Sequence, residues 1–314
     1  MFLMNQKPVT SQVLPDHFVH SDISPGELLH PLRSDLITHL DLSADRQPVG
    51  GLGIFHCRGI QKLREVPILQ PFAILVVAGK KRAIIDHREI VVSAGELLLL
   101  PAGFTLWMEN HPDTQSGIFV SLGMGFSAQT LARFRQQQIS PGDIRPVWQS
   151  VAAEPVITAY HQWFQWCQQH PVEPVIAGHR QLELLLLLAQ SGLAGNLLLG
   201  ATPSWKQRVV DLLSLRLSDP WKLSEVCSPL AVSESTLRRH LRAEQTSFRE
   251  ILEQTRLVNG LGLLQETCWP IARVAESVGY QSASRFSERF KQRFGMSPSE
   301  LRRTQANAHL AEIV

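Results

Sequence analysis

The sequence predicts a two-domain α+β protein: an N-terminal β-barrel of short strands, a helical middle segment, and an all-α C-terminal part built on a duplicated two-helix unit. Three observations carry this. Residues 50–126 alternate apolar runs with glycine turns, the texture changes to helical spacing from Ser127, and a segment near the C-terminus repeats itself at a shift of 48 residues. The boundaries that follow are 1–126, 127–202 and 203–314. A chain of 314 residues is long enough for two ordinary domains, and its 44% hydrophobic content allows each a core.

The β-region is read from "FAILVVAGKKRAIID", two apolar runs around a Gly-Lys-Lys turn, and "EIVVSAGELLLLPAG", two more around Ala-Gly, a texture that suggests a small barrel or a sandwich. The first ten residues, "MFLMNQKPVT", lack a sustained apolar region, so a secretory signal is not expected and the cytoplasm is the expected location. Four cysteines, at positions 57, 167, 227 and 268, stand too far apart for a zinc site or a disulfide framework and read as reduced, buried thiols.

In the middle segment "AQTLARFRQQQ", "VITAYHQWFQWCQQH" and "AGHRQLELLLLLAQ" all fit helical spacing. Residues 161–170 supply either an aromatic dimer face or a core helix, and the leucines of 182–189 serve either dimerisation or packing on the barrel. The uncharged run from Leu184 to Trp205 is broken by "QSG" and by Asn196, so it reads as a buried helix and a loop, not a membrane span. "LLLGATPSW" is the expected linker.

Residues 203–305 hold 16 Lys and Arg against 11 Asp and Glu, leaving 14 against 17 elsewhere, so basic character gathers near the C-terminus. There Leu223, Val226 and Leu230 superpose on Ile271, Val274 and Val278, and Leu237 on Phe286 one residue later. Each copy is a short helix, a tight turn and a second helix opening with serine. In the second copy Phe286, Phe290 and Phe294 share one face and must be buried, Arg285, Arg289 and Arg293 run along the flank, and Ser284, Glu288, Lys291 and Gln292 face outward. In the first copy Leu237 and Leu241 face inward while Ser235, Thr236, Arg239 and Arg242 face outward. This is the pattern of a helix-turn-helix recognition helix, which enters the DNA major groove with its basic flank along phosphates.

On "LAVSESTLRRHLRAEQTSF", "PIARVAESVGYQSASRFSERFKQRFGMSPSELRR" and the helix joining them, residues 203–305 resemble the AraC/XylS family of bacterial transcription regulators. The resemblance implies two helix-turn-helix units on one long helix, reading successive major-groove segments of double-stranded DNA about 34 Å apart. It also implies a homodimer, an activating role and contact with RNA polymerase. Carried across position by position, base reading falls on Ser235, Arg238 and Arg239 in the first unit and on Ala283, Ser284, Arg285 and Glu288 in the second. Phosphate contacts fall on Ser233, Thr236, Arg242, Ser282, Ser287, Arg289 and Lys291. Arginine pairs bidentately with guanine, so the first unit is expected to dominate specificity.

The chain departs from the family pattern in four places. Glu288 stands where many relatives carry arginine, and is expected to pair with Arg285 or Lys291 in preference to accepting from cytosine. Ala231 replaces the usual turn glycine, and Pro229 comes late in the preceding helix. Gly260 and Gly262 each cost the joining helix about 1 kcal/mol relative to alanine, so extra motion between the two units is expected. "GMSPSEL" reads as a capped helix start, with Ser297 as cap, Pro298 in the first turn and Glu300 closing a capping box.

"GELLLLPAG" resembles the cupin-like effector domain that many relatives carry, which implies a small-molecule effector. Pro101 and Gly103 match its turn, but Leu106 stands at the expected metal-ligand histidine and no His-x-His is present, so no metal and no cofactor are expected. The remaining histidines are scattered and read as structural or exposed. Trp107 and Met108 either line an effector pocket or pack in the core. No nucleophile constellation or phosphate loop points to catalysis. Two rival readings remain open: the same DNA-binding part with a protein-interaction N-terminal domain, and a cupin-type enzyme with a helical accessory domain.

Overall fold

The computed structural model describes residues 25–42, 51–85, 87–137, 147–198 and 204–306. The first ten residues and positions 199–203 of the expected linker lie outside them. The N-terminal domain opens with helix α1 (Pro25–Leu42) and continues through β1 (Gly53–Cys57), β2 (Gln61–Pro67), β3 (Phe72–Ala78), β4 (Lys80–Ile85), β5 (Arg88–Ser93), β6 (Glu96–Leu100), β7 (Thr105–His111) and β8 (Phe119–Gly125). Helix α2 (Ala128–Gln136), the short strand β9 (Gln149–Val151), α3 (Glu154–Gln169) and α4 (Pro174–Gln190) follow.

The strands form two sheets facing one another, ordered β1-β8-β3-β6-β9 and β2-β7-β4-β5, the sandwich of the two arrangements that the strand pattern allowed. The glycine turns are the reason. Gly79, at φ 78°, takes the chain from β3 in one sheet to β4 in the other, and a side chain there would collide with the carbonyl of His111. Gly95 does the same between β5 and β6. These runs are therefore crossings between layers. Between the sheets lie Ile74, Val76, Leu98, Leu100, Leu106 and Phe119. Leu106 is fully buried there, so hydrocarbon fills the place where a cupin histidine would stand.

α3 and α4 pack on the outer face of the five-stranded sheet. Tyr160, Trp163 and Phe164 of α3 and Leu184, Leu185 and Leu188 of α4 are buried in that core, and the Tyr160 hydroxyl donates to the Ala73 carbonyl at 2.8 Å. Of the two readings for these helices, core packing accounts for those faces. Trp166, Val175 and Ile176 remain exposed on the far side. No described helix is long and apolar enough to cross a membrane.

The C-terminal domain is helical: α5 (Trp205–Leu215), α6 (Leu223–Cys227), α7 (Glu234–Ala243), α8 (Phe248–Glu266), α9 (Ile271–Ser277), α10 (Ala283–Phe294) and α11 (Pro298–Gln305). α6 and α7 form one unit, α9 and α10 the other, and α8 joins them with 19 residues, about 28 Å of helix. α6 ends at Cys227, so Pro229 stands in the turn, not late in a helix. Cys57 and Cys227 are buried as expected, whereas Cys268 is exposed.

Candidate nucleic-acid interface

Both recognition helices are built by the same local chemistry. Ser233 and Ser282 take extended backbone before α7 and α10, and their hydroxyls accept from the amides of Thr236 and Arg285 at 3.2 and 3.3 Å. Leu237 and Leu241 anchor α7 against Val209, Leu213, Val226 and Ile251. Phe286, Phe290 and Phe294 anchor α10 against Leu257, Leu261, Val274 and Val278, with successive rings 5.5 and 4.7 Å apart. The turns also correspond. Gly279 has φ 83°, and Ala231, at the same place in the first unit, has φ 53°. α11 starts as its sequence requires, with Ser297 and Glu300 in a reciprocal capping box.

With the apolar faces buried, the opposite faces are set. On α7, Ser235, Arg238, Arg239 and Arg242 are exposed and Thr236 is half-buried beside the capping Ser233. Arg238 is held by Glu234 at 3.4 Å, one turn back. On α10, Ser284, Arg285, Glu288 and Lys291 are exposed, while Ala283, Ser287 and Arg289 are half-buried. Arg289 reaches Glu253 of α8 at 3.0 Å and donates to Gln292, so part of its charge is spent inside the domain. The expected ion pair of Glu288 is not formed: Lys291 turns to Glu300 at 3.6 Å, and Glu288 points outward. Its carboxylate faces the same side as Ser284 and Arg285.

The two units are not attached alike to the N-terminal domain. β2 packs directly on the second unit, with Leu63 and Val66 in the aromatic core of α10. Arg293 pairs with Glu65 at 3.3 Å, and the amides of Arg58 and Gly59 donate to the Thr304 carbonyl at 2.7 and 3.0 Å. A chain of buried amides crosses the boundary. Lys81 Nζ donates to Asn110 Oδ1 at 2.6 Å, Asn110 donates to Gln61 Oε1 at 3.0 Å, and Gln265 of α8 donates to the same oxygen at 3.1 Å. Gln61 in turn donates to Thr304 at 3.1 Å.

Beside this chain lies a largely apolar cavity of about 770 Å³, walled by both domains. Phe55, Phe72 and Met108 contribute from the strands, and Leu212, Val258 and Leu261 from α5 and α8. Met108 stands on its wall and also packs against the core between the sheets and the aromatic core of α10. Trp107, next along β7, faces the other way, half exposed beneath Arg64, and lines no part of it. Sequence reading missed Lys81, placed in a turn but buried on β4, and Glu266, the last residue of α8, which also lines the cavity. Burial pushes the Lys81 amine down to about 8 and the Glu266 carboxyl up to about 8. Among the described residues no group of three His, Cys, Asp or Glu could hold a metal ion.

This geometry, two serine-capped recognition helices on one joining helix, defines a double helix-turn-helix DNA-binding domain. A family model described as a helix-turn-helix domain matches residues 226–304. The HTH-type transcriptional regulator YdeO of Shigella flexneri is 34% identical over 128 residues, 39% of this chain and 50% of that protein. The HTH-type transcriptional regulator GadX of Escherichia coli is 34% identical over 104 residues, 33% of this chain and 38% of that protein. The chain therefore spans half or less of the length of these curated relatives. Over a longer stretch, ToxT from Vibrio cholerae superposes with a TM-score of 0.55 at 13% identity, covering 82% of this chain and 98% of that one. A ToxT structure with bound unsaturated fatty acid gives 0.54 at 12%, covering 84% and 97%. That likeness establishes a shared two-domain fold. Residues 226–304 are thus a helix-turn-helix domain, similar to those of proteins named as transcriptional regulators.

Proposed function

We propose that this protein is a sequence-specific DNA-binding transcription regulator, working in the cytoplasm as a homodimer that activates RNA polymerase. The observation that carries the reading is the pair of recognition helices, each with its apolar face buried and a polar, largely basic face left to solvent. On this reading Arg239, with Ser235 and Arg238, reads bases in one groove segment, and Ala283, Ser284, Arg285 and Glu288 read the next. With Lys291 drawn to Glu300, Glu288 is available to accept from a cytosine amine. Ser233, Thr236, Arg242, Ser282, Ser287, Arg289 and Lys291 approach phosphates. The exposed Trp166, Val175 and Ile176 offer an apolar dimer contact. A small-molecule effector held in the cavity between the domains would control the DNA-binding part. The similarly folded ToxT, solved with an unsaturated fatty acid, supports an apolar ligand.

The test is footprinting of genomic fragments recovered with the purified protein across a salt series. Protection of two successive major grooves per protomer, retained over random DNA as salt rises, is the expected result. Equal loss from every fragment would refute sequence reading.

A further inference from the structure

The cavity between the domains is lined by three ionisable groups whose situations differ: Lys81, Glu266, and Asp211, whose Oδ1 accepts from Gln207 at 2.9 Å. Lys81 is 2% exposed, its Nζ is bonded to Asn110, and the ring of Phe119 lies 5.0 Å away. Its amine thus has one hydrogen-bond partner and a ring face within the protein. Glu266 has no hydrogen bond or ion pair among the described residues, is enclosed by β1 and α8, and yet keeps accessible surface, because it borders the cavity. Gly53 leaves room beside its carboxylate. A Cβ at Gly53 would come within 3.2 Å of Oε1, and one at Gly262 within 3.8 Å. Of the three ionisable groups, Glu266 is the one with no hydrogen-bond or ion-pair partner among the described residues, in a largely apolar chamber.

We propose that the effector of this cavity is an apolar molecule carrying one basic nitrogen, whose ammonium pairs with Glu266 while its hydrocarbon part lies among Phe55, Phe72, Met108 and Leu261. The proposal rests on the reading of the cavity as an effector site and specifies the ligand class. Binding of the ammonium form to protonated Glu266 releases that proton to solvent, so near pH 6 uptake of ligand is coupled to release of about one proton. The raised proton affinity of Glu266 supplies the proton that is released.

Decylamine, decanoate and decanol, below micelle-forming concentration, separate the alternatives by calorimetry on the full chain. The expected result is that decylamine binds at least tenfold more tightly than the other two and releases about one proton near pH 6, measured in buffers of different ionisation enthalpy. Glu266→Gln should remove at least tenfold of the amine's affinity and leave decanol unchanged. Proton release by the unaltered protein serves as a second measurement should that variant fold poorly. Tighter binding of decanoate, or amine binding without proton release, overturns the basic-ligand assignment and leaves the effector reading standing. Binding of none of the three refutes both, and the footprinting result is unaffected.

Discussion

Ala231 holds φ 53° in the turn where its counterpart Gly279 holds 83°. An L-residue in that left-handed region costs about 1–2 kcal/mol, which glycine avoids at some loss of chain entropy. Ala231→Gly should therefore stabilise the first unit by up to about 1 kcal/mol, read from urea unfolding, and no gain would mean the turn is not strained. The glycines of α8 divide the same way. A methyl at Gly260 would lie 2.7 Å from the Phe286 ring, so Gly260 is the contact that seats the second recognition helix against α8. Gly260→Ala should destabilise by about 1–3 kcal/mol through overpacking. At Gly262 the same methyl meets only Glu266, at 3.8 Å, and Gly262→Ala should be neutral or stabilising by up to about 1 kcal/mol. The expectation of a loosened joining helix is thus corrected at Gly260, where sequence shows the missing side chain but not the phenylalanine that takes its place.

At the level of elements, α7 and α10 leave their charges in different situations. α7 presents Arg239 and Arg242 exposed and, among the described residues, without an ion pair, whereas α10 spends Arg289 on Glu253, Lys291 on Glu300 and Arg293 on Glu65 of β2. Arg239→Ala should therefore cost about 1–3 kcal/mol at a recovered operator and little on random DNA. Lys291→Ala should weaken all DNA alike and lower the salt slope by about one. Parallel losses for the two variants in filter-binding titrations would remove Arg239 from base reading. These helices were legible in sequence because their signals are local: a capping serine, an apolar residue every three to four positions, and a second copy for comparison. The strands were legible as strands, but their partners were not. Whether a glycine turn closes a hairpin or crosses to a facing sheet depends on residues far along the chain, as Gly79 depends on His111.

Taken as a whole, the molecule brings Lys81, Asn110 and Gln61 of the first domain to Gln265 and Glu266 of the second, and no local pattern could have announced that meeting. Lys81 read as a turn residue, and nothing in the sequence marked Glu266. Their joint burial gives the folded state a pH dependence of predictable sign. Below the usual carboxyl value of 4.5, Glu266 is protonated in folded and unfolded chains alike and imposes no penalty. As pH rises from there to about 8, the unfolded chain releases the proton and the folded chain retains it, so stability declines through that window and then levels off. Lys81 acts in the next window. Its amine gives up its proton at about 8 in the folded protein but at 10.5 when unfolded, so stability recovers between those values. The two contributions place a minimum near pH 8, where the N-terminal domain meets the DNA-binding domain. Glu266→Gln should abolish the decline from pH 5 to 8 and keep the recovery above it. Melting temperatures of the two proteins followed across that range should therefore diverge as pH rises to 8. Curves that run parallel would mean that Glu266 reaches solvent when ionised, and that the cavity is not closed to water on its α8 side.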